Sequence, residues 1–388
     1  MTSPAKLDII MADTTLYTRK GVFTQMITIE RTIDLPDTYP LDRLGTLEKL
    51  LFFDIETTGF SGDYSNLYLI GCTYFRDGSW HLTQWFADKE DSEEQLLHAF
   101  FRFLNEFDTV VHFNGDGFDI PYLLKRCRAF HLPYDFSGVT SIDIYKRVKP
   151  YRKLLELENL KQKSIERFLG IYRQDKFSGG QLIEVYKDYL VTHEDALYDM
   201  LMLHNREDLE GMPLILPIMN YPDFLEHDFQ FHDARILERP DLSGQPQPVL
   251  VLTLESQYEI PVSFEHPSSL GNLKAEGRGL TLEIDLFQGT LKYFYPDYKD
   301  YYYLIYEDTA VHKSIGEFVD KSARKKATAQ TCYTKREGLF LPQPIPVWEP
   351  ALKKEYKDKV TYAEYHEKLF EDAEKLREYV RAILSHVG

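Results

Sequence analysis

The stretch Leu50-Leu51-Phe52-Phe53-Asp54-Ile55-Glu56 is apolar until it ends on two acids, and it is short enough for a buried strand. Leu67–Phe75 and Trp80–Phe86 are rich in β-branched and aromatic residues and flank Arg76-Asp77-Gly78-Ser79, which predicts a hairpin. Ser92 and Gln95 have the spacing of a capping box ahead of Leu96, Leu97, Phe100, Phe101 and Leu104, a helical apolar stripe. Thr109–Phe113 reads as a short buried strand, followed by a Gly-rich turn and a helix through Ile120, Leu123, Leu124 and Cys127. Ser141–Tyr145 is a further strand, and Leu154 to Ile218 is mostly helical, interrupted at Ser178-Gly179-Gly180. Three strands in a meander, then strands alternating with helices, predict a mixed sheet flanked by helices.

On either side of this region the texture changes. Residues 1–46 read as an N-terminal extension with one strand-like alternation at Ile27, Ile29, Arg31 and Ile33, ended by Pro36 and Pro40. The α/β pattern occupies residues 47–222. Residues 223–350 are expected to form a β-rich accessory domain, with strands at Val249–Leu254, Leu280–Leu286 and Leu291–Tyr295. Asp241-Leu242-Ser243-Gly244-Gln245-Pro246-Gln247-Pro248 is the best linker by composition. Residues 351–388 are assigned to a C-terminal helix, with Tyr362, Tyr365, Leu369, Ala373, Leu376, Val380 and Ile383 at steps of three and four.

Composition narrows the class. The 388 residues are 43% hydrophobic and 14% aromatic, enough for a substantial core and too many bulky groups for disorder. Cys72, Cys127 and Cys332 lie far apart, which argues against a disulfide scaffold and for a reducing, cytoplasmic setting. The first 35 residues hold no apolar signal-like region, and no uninterrupted apolar stretch approaches the ~18 residues a span needs, so no membrane role is expected. A net charge of −17 excludes broad electrostatic coating of duplex nucleic acid, so any grip on phosphates must come from local basic runs.

The acids carry the candidate chemistry. On a strand, Asp54 and Glu56 point to one face while Ile55 points to the other, so the two carboxylates can converge or simply mark an exposed strand end. Asp119 stands where the turn Asn114-Gly115-Asp116-Gly117-Phe118 enters a helix, as a functional acid or an N-cap, with Asp116 a competitor in the same turn. Asp208 lies in a helical stretch beside Arg206, as a ligand or on a solvated face. About four such carboxylates suffice to hold two ions around a scissile phosphate, and hard oxygen donors suit Mg²⁺ or Mn²⁺.

Together these residues resemble the DEDD superfamily of exonucleases, which have an RNase H-like fold. Phe53-Asp54-Ile55-Glu56-Thr57-Thr58-Gly59 is similar to its first motif, Asn114-x-x-x-Phe118-Asp119 to its second, and His204-x-x-x-Asp208 to its third. The likeness is greatest to the YprB-like branch, where the segments Leu160 to Arg173 and Gly180 to Leu190 also look alike; it covers about residues 47–220. The resemblance implies an RNase H-like mixed five-stranded sheet flanked by helices, followed here by the β-rich α+β region and C-terminal helix. It also implies 3′–5′ exonuclease activity and two ions held by Asp54, Glu56, Asp119 and Asp208, with Asp119 preferred over Asp116. One departure concerns the general base. The superfamily places a His five residues, or a Tyr four residues, before the last Asp, whereas this chain has His204 at four. At that offset His204 shares a helix face with Asp208 and is the candidate base. Asp143 resembles an acid seen beside such sites, and Asn114 is a candidate to orient substrate or shape its turn.

Two basic runs are candidates for contact with nucleic acid, single-stranded by preference. One holds Lys146, Arg147, Lys149 and Arg152 around Tyr151; the other holds Lys325, Lys326 and Arg336 in a stretch free of acids from Lys321 to Arg336. Both also fit ordinary solvated surface. The tyrosines at 298, 301, 302, 303 and 306 fit core and sheet-edge packing better than a stacking platform. The rival to a nuclease is an RNase H-like module with little or no catalysis that binds nucleic acid or protein.

Overall fold

The apolar runs of the first half become one six-stranded sheet: β1 (Met26–Ile33), β2 (Leu50–Thr57), β3 (Leu67–Arg76), β4 (Ser79–Ala87), β5 (Thr109–His112) and β6 (Thr140–Asp143), in the order β1-β4-β3-β2-β5-β6. The structure is a computed structural model describing residues 26–240 and 244–387. Strands β1 to β4 pair antiparallel, whereas β5 runs parallel to β2 and β6 parallel to β5, giving a mixed sheet. Asp77 and Gly78 both take positive φ (50° and 80°) and close the β3–β4 hairpin, as its Asp-Gly pair demands.

The sheet has six strands and not five. The alternation at Ile27 to Ile33, assigned above to an extension, pairs along its whole length with β4, from Met26↔Ala87 to Ile33↔Trp80. It caps an edge whose backbone N–H and C=O groups would otherwise face solvent. The remainder of the extension, residues 1–25, lies outside the described residues.

Helix α1 (Glu93–Leu104) buries all five residues of its apolar stripe against one face, where Phe100 meets Phe53. Ser92 sits at the end of a 3-10 turn that runs directly into α1. The chain continues as α2 (Asp119–Ala129), α3 (Ile144–Val148), α4 (Gln162–Phe168), α5 (Gly179–Thr192) and α6 (Asp195–Ile215). Helix α3 takes over the second half of the predicted strand at 141–145, because the Asp143 side chain accepts from the Lys146 N–H and caps a helix start. A capping box forms at Ser178 and Gln181, so Gly179-Gly180 opens α5. Helix α6 lies across β2, β3 and β4 on the face opposite α1.

Asp54 pairs directly with Gly71 of β3, so that face carries a carboxylate beside a position with no side chain. A Cβ at Gly71 would run into Asn205 Oδ1 and Leu209 Cδ1 of α6. The glycine therefore sets how closely α6 approaches the two acids of β2. Gly71→Ala should cost about 1–3 kcal/mol, the range for overpacking, and lower the urea midpoint. An unchanged midpoint would mean that α6 can lift without penalty.

The second unit comprises Lys153–Glu156 and the chain from Asn220 onward. Its elements are α7 (Asn220–Glu226), β7 (Gln230–Pro240), β8 (Pro246–Glu255), β9 (Phe264–Ser268), β10 (Gly271–Glu276), β11 (Gly279–Asp285), β12 (Phe287–Phe294), β13 (Tyr301–Leu304), β14 (Thr309–His312), α8 (Lys313–Gly316), β15 (Arg324–Lys326), β16 (Tyr333–Gln343), β17 (Thr361–Glu364) and α9 (Ala373–Val387). They form one five-stranded and two three-stranded sheets. The stretch expected to be a linker, part of which lies outside the described residues, joins β7 to β8, which pair from Gln230↔Glu255 to Pro240↔Pro246. Its described residues, from Gly244 onward, lead into and form the start of β8, a strand of a hairpin. The C-terminal helix starts only at Ala373: Tyr362 lies in β17, opposite Pro342, and Leu369 lies in a 3-10 turn. Apolar spacing misled here because a strand and a turn happen to continue the helical phase. Tyr298, Tyr301 and Tyr303 pack around Ala310, Ala327 and Cys332, as expected of a packed cluster, whereas Tyr306 is exposed. Among the described residues no helix is long and apolar enough to cross a membrane, and all three cysteines are free and buried.

Candidate active site

Strand β2 ends by pointing Asp54 and Glu56 at α6. There His204 and Asp208, four apart, face the same way: His204 Nε2 lies 3.6 Å from Glu56 Oε1 and 3.3 Å from Asp208 Oδ2. Asn205, the neighbour of His204, donates from Nδ2 to Asp54 Oδ2 at 2.9 Å. It is held in turn by Gln84 of β4, whose Nε2 donates to Asn205 Oδ1 at 2.9 Å. Asp119, the first residue of α2, accepts from the Ile55 N–H at 3.3 Å, which brings the third acid over the same strand end.

This concentration of carboxylates is electrostatically expensive. Burial, followed by Asp208, Glu56 and Asp119, pushes the Asp54 carboxyl well above its usual range, against the Asn205 hydrogen bond. Glu56 is raised to about 8, chiefly by burial, although His204 opposes it. Asp119 is raised to about 7, chiefly by burial, against hydrogen bonds from the backbone. Burial would lower the His204 pKa, but Glu56, Asp208 and Asp175 together raise it. Burial and mutual repulsion of this kind are what a divalent cation at this place would offset. The donor set of Asp54, Glu56, Asp119 and Asp208 therefore fits hard cations.

These shifts predict how stability depends on pH. Because the folded pKa values of Asp54, Glu56 and Asp119 lie above their usual ones, protonation stabilises the metal-free fold. That contribution is complete below about pH 4 and is lost as pH rises through 7 and 8. His204, also raised, acts in the same sense, while His112, lowered mainly by burial, acts against it. The melting temperature in chelator should thus fall between about pH 5.5 and 8.5, and added Mn²⁺ should stabilise more at the higher pH. A chelated protein that melts no lower at the higher pH would contradict the burial of these acids.

Several residues with no role expected from sequence complete the site. The segment between α4 and α5 folds back onto α6 at three points. Arg173 Nη1 donates to Asp208 Oδ1 at 2.5 Å; Asp175 Oδ2 lies 2.6 Å from His204 Nδ1; and Glu207 accepts from the Gln174 and Asp175 N–H groups at 3.0 and 2.8 Å. Arg173 also pairs with Glu166, and Gln162 Nε2 bonds to Glu166 Oε1 at 3.1 Å and to the Asp208 carbonyl at 2.8 Å. Lys163 Nζ donates to Asp175 Oδ2 at 2.5 Å. Glu166 and Arg173 fall in a segment that resembles the exonuclease family, and that resemblance is the only signal of them in the sequence.

Asp143 and Asn114 shape the turn before α2. Asp143 is buried and accepts from the N–H groups of Asn114 (2.9 Å), Asp116 (3.3 Å) and Lys146 (3.3 Å). Asn114 takes a positive φ of 64° there. Asp116 turns away to Ser141 Oγ and Lys146 Nζ, each at 2.6 Å. His112 completes this second group, its Nε2 lying 2.8 Å from Ser141 Oγ.

Two of the first basic run are thus engaged internally: Lys146 with Asp116, and Arg152 with the carbonyls of Leu157 and Glu158. Lys149 lies over the Tyr145 ring at 5.5 Å, and Arg147 is half-buried. In the second run, Lys325 and Lys326 are exposed on β15, with Lys325 over the Tyr303 ring. Arg336 pairs with Glu364 at 2.8 Å and Lys335 with Asp308. A stretch without acids in sequence thus meets acids in space.

Residues 51–220 match the RNase_H_2 family model of the RNase H superfamily. Among curated proteins, DNA polymerase 1 of Aeropyrum pernix is 33% identical over 68 residues, 18% of this chain and 7% of the polymerase. A DNA polymerase of Thermococcus litoralis is 32% identical over 87 residues, 20% of this chain and 5% of that protein. The chain therefore spans only a small part of these relatives. Among solved structures, the family B DNA polymerase of Pyrobaculum calidifontis aligns with a TM-score of 0.36 at 17% identity, covering 53% of this chain and 34% of that one. The Escherichia coli exonuclease I–ssDNA complex aligns at 0.27 and 15%, covering 40% and 43%. Such scores are too low to equate the folds. The family match, taken with the mixed sheet and flanking helices, identifies residues 51–220 as an RNase H-like superfamily domain.

Proposed function

We propose that the protein is a metal-dependent nuclease, a 3′–5′ exonuclease acting on single-stranded ends of DNA or RNA and releasing nucleoside 5′-monophosphates. The observation that carries this reading is the convergence of Asp54, Glu56, Asp119 and Asp208 within an RNase H-like domain, three of them raised in pKa by burial and with other carboxylates adding to the rise. Those four side chains would hold two Mg²⁺ or Mn²⁺ ions. When bound, such ions stabilise the charge that develops on the phosphate and on the attacking and leaving oxygens. The chain's own part is to fix the donors: Asn205 orients Asp54, the Ile55 N–H orients Asp119, and Arg173 occupies the second oxygen of Asp208. Polarity and preference for single strands come from the resemblance to the exonucleases.

The test is a panel of single- and double-stranded DNA and RNA labelled at either end, with Mg²⁺, Mn²⁺ or chelator. Divalent-dependent release of mononucleotides from 3′ ends is expected. Intact substrates under every condition would leave the fold as an interaction module.

In the second unit Lys325 and Lys326 are the best candidates for pairing with phosphates, since Arg336 is already paired. Exchanging both for Glu should weaken oligonucleotide binding while turnover at saturation changes little. The salt slope of binding should fall by about 0.7 for each single-strand phosphate that is no longer neutralised. Unchanged binding would make the strand ordinary surface.

A further inference from the structure

We infer that His204 is itself a metal ligand, its Nε2 joining Glu56 and Asp208 around one ion to make a mixed nitrogen–oxygen position that favours Mn²⁺ or another transition-metal cation over Mg²⁺. The inference rests on the metal-site reading above and deepens it.

The orientation of the imidazole is the first argument. His204 is buried in α6, and its Nδ1 lies 2.6 Å from Asp175 Oδ2. Asp175 is anchored as an acceptor by Lys163 Nζ at 2.5 Å and by the Phe177 N–H at 2.9 Å. The proton of the neutral ring therefore belongs on Nδ1, and the Nε2 lone pair points into the carboxylate cluster. A carboxylate behind one ring nitrogen is the usual support of a metal-binding histidine: it fixes the tautomer and raises the basicity of the donor nitrogen.

Spacing is the second. Nε2 lies 3.3 Å from Asp208 Oδ2 and 3.6 Å from Glu56 Oε1, and ligand atoms from all three residues lie within 4.8 Å of one another. Donors sharing an ion at about 2.0–2.2 Å are roughly 3.0–3.4 Å apart. His204 Nε2 thus stands at, or within a few tenths of an ångström of, shared-ion spacing from each of the two acids. Spacing along the helix brings this about, because residues four apart on α6 advance about 40° beyond one full turn and lie one above the other.

Donor chemistry then sets the selectivity. Imidazole suits transition-metal cations, whereas Mg²⁺ takes oxygen ligands and keeps much of its water. An Nε2 bound in this way has no free lone pair with which to deprotonate water, so the role replaces that of the general base expected from sequence.

The test uses the full-length protein freed of metal, titrated calorimetrically with Mn²⁺ and with Mg²⁺, and the Mn²⁺ complex studied by pulsed electron paramagnetic resonance. Coupling to an imidazole nitrogen is expected in the native protein, a readout that needs no variant. Asp175→Asn should weaken Mn²⁺ binding about 10–100-fold, and His204→Ala at least as much, with Mg²⁺ binding less affected. Absence of nitrogen coupling, or a His204→Ala protein that binds Mn²⁺ like the native one while Asp54→Asn does not, would overturn the inference and leave the carboxylate site standing. Mn²⁺ binding unaffected in both variants would remove the metal site altogether.

Discussion

Asp54→Asn and Asp119→Asn should each abolish hydrolysis while raising the melting temperature of the metal-free protein. The two effects share one cause. Burial and the neighbouring acids disfavour the ionised form of both carboxyls, so a neutral amide of the same shape relieves repulsion. At position 54 the amide can still accept from Asn205 Nδ2, and at 119 from the Ile55 N–H. Each amide, however, loses the charge that would hold an ion. Ion binding contributes several kcal/mol of transition-state stabilisation, and at 1.36 kcal/mol per tenfold its loss lowers the rate by about a thousandfold. The stabilisation on adding Mn²⁺ should shrink with it. Activity measured beside melting curves with and without Mn²⁺ decides the matter. Full activity in both variants would remove these acids from the mechanism, and a marked drop in melting temperature would give them a structural role instead.

Arg173→Met should be the most destabilising of the substitutions considered. The guanidinium is buried between Glu166 and Asp208, and Glu166 is almost wholly enclosed. Methionine matches the stem in length but leaves Glu166 with only Gln162 as a partner and frees the second oxygen of Asp208. Removing one member of a buried ion pair typically costs about 3–5 kcal/mol. For a unit of this size that lowers the melting temperature by about 6–20 °C, at roughly 2–4 °C per kcal/mol. Adding Glu166→Gln should recover part of the loss, because it removes the stranded charge. A single variant that melts within about 2 °C of the native protein would mean that solvent screens the pair.

What could be read in the sequence was whatever is local. Asp54 and Glu56 stood out because two acids end an apolar strand, and Asp119 and Asp208 because the residues around them resemble the second and third exonuclease motifs. The β3–β4 hairpin was legible from Asp77-Gly78, and α1 from its stripe. Residues that act only through distant partners gave no such sign. Arg173, Asp175 and Asn205 look like surface polar residues until the chain folds back and sets them against Asp208, His204 and Asp54. Arg336 erred in the other direction: it looked free because its partner, Glu364, lies 28 positions away. Strand β1 was recognised as a strand, but its partner β4 begins beyond two intervening strands, so its membership of the sheet could not be read. Tyr362 shows the limit of periodicity, since a strand and a turn can keep the phase of the helix that follows.

The hydrogen bond from Asn205 to Asp54 joins positions 151 apart. During synthesis, β2 leaves the ribosome long before the helix that completes its site, and at about 5–20 residues per second the two acids wait on the order of ten seconds for their partners. A chain stopped before α6 can pair much of its sheet and carry Asp54, Glu56 and Asp119, but it lacks Asp208 and the helix on which the Arg173–Asp175 brace rests. The acids then remain protonated or open to water, with nothing to hold an ion in place. Competence to bind metal therefore arrives only when the domain is complete, and fragments ending short of α6 have no partial version of the site.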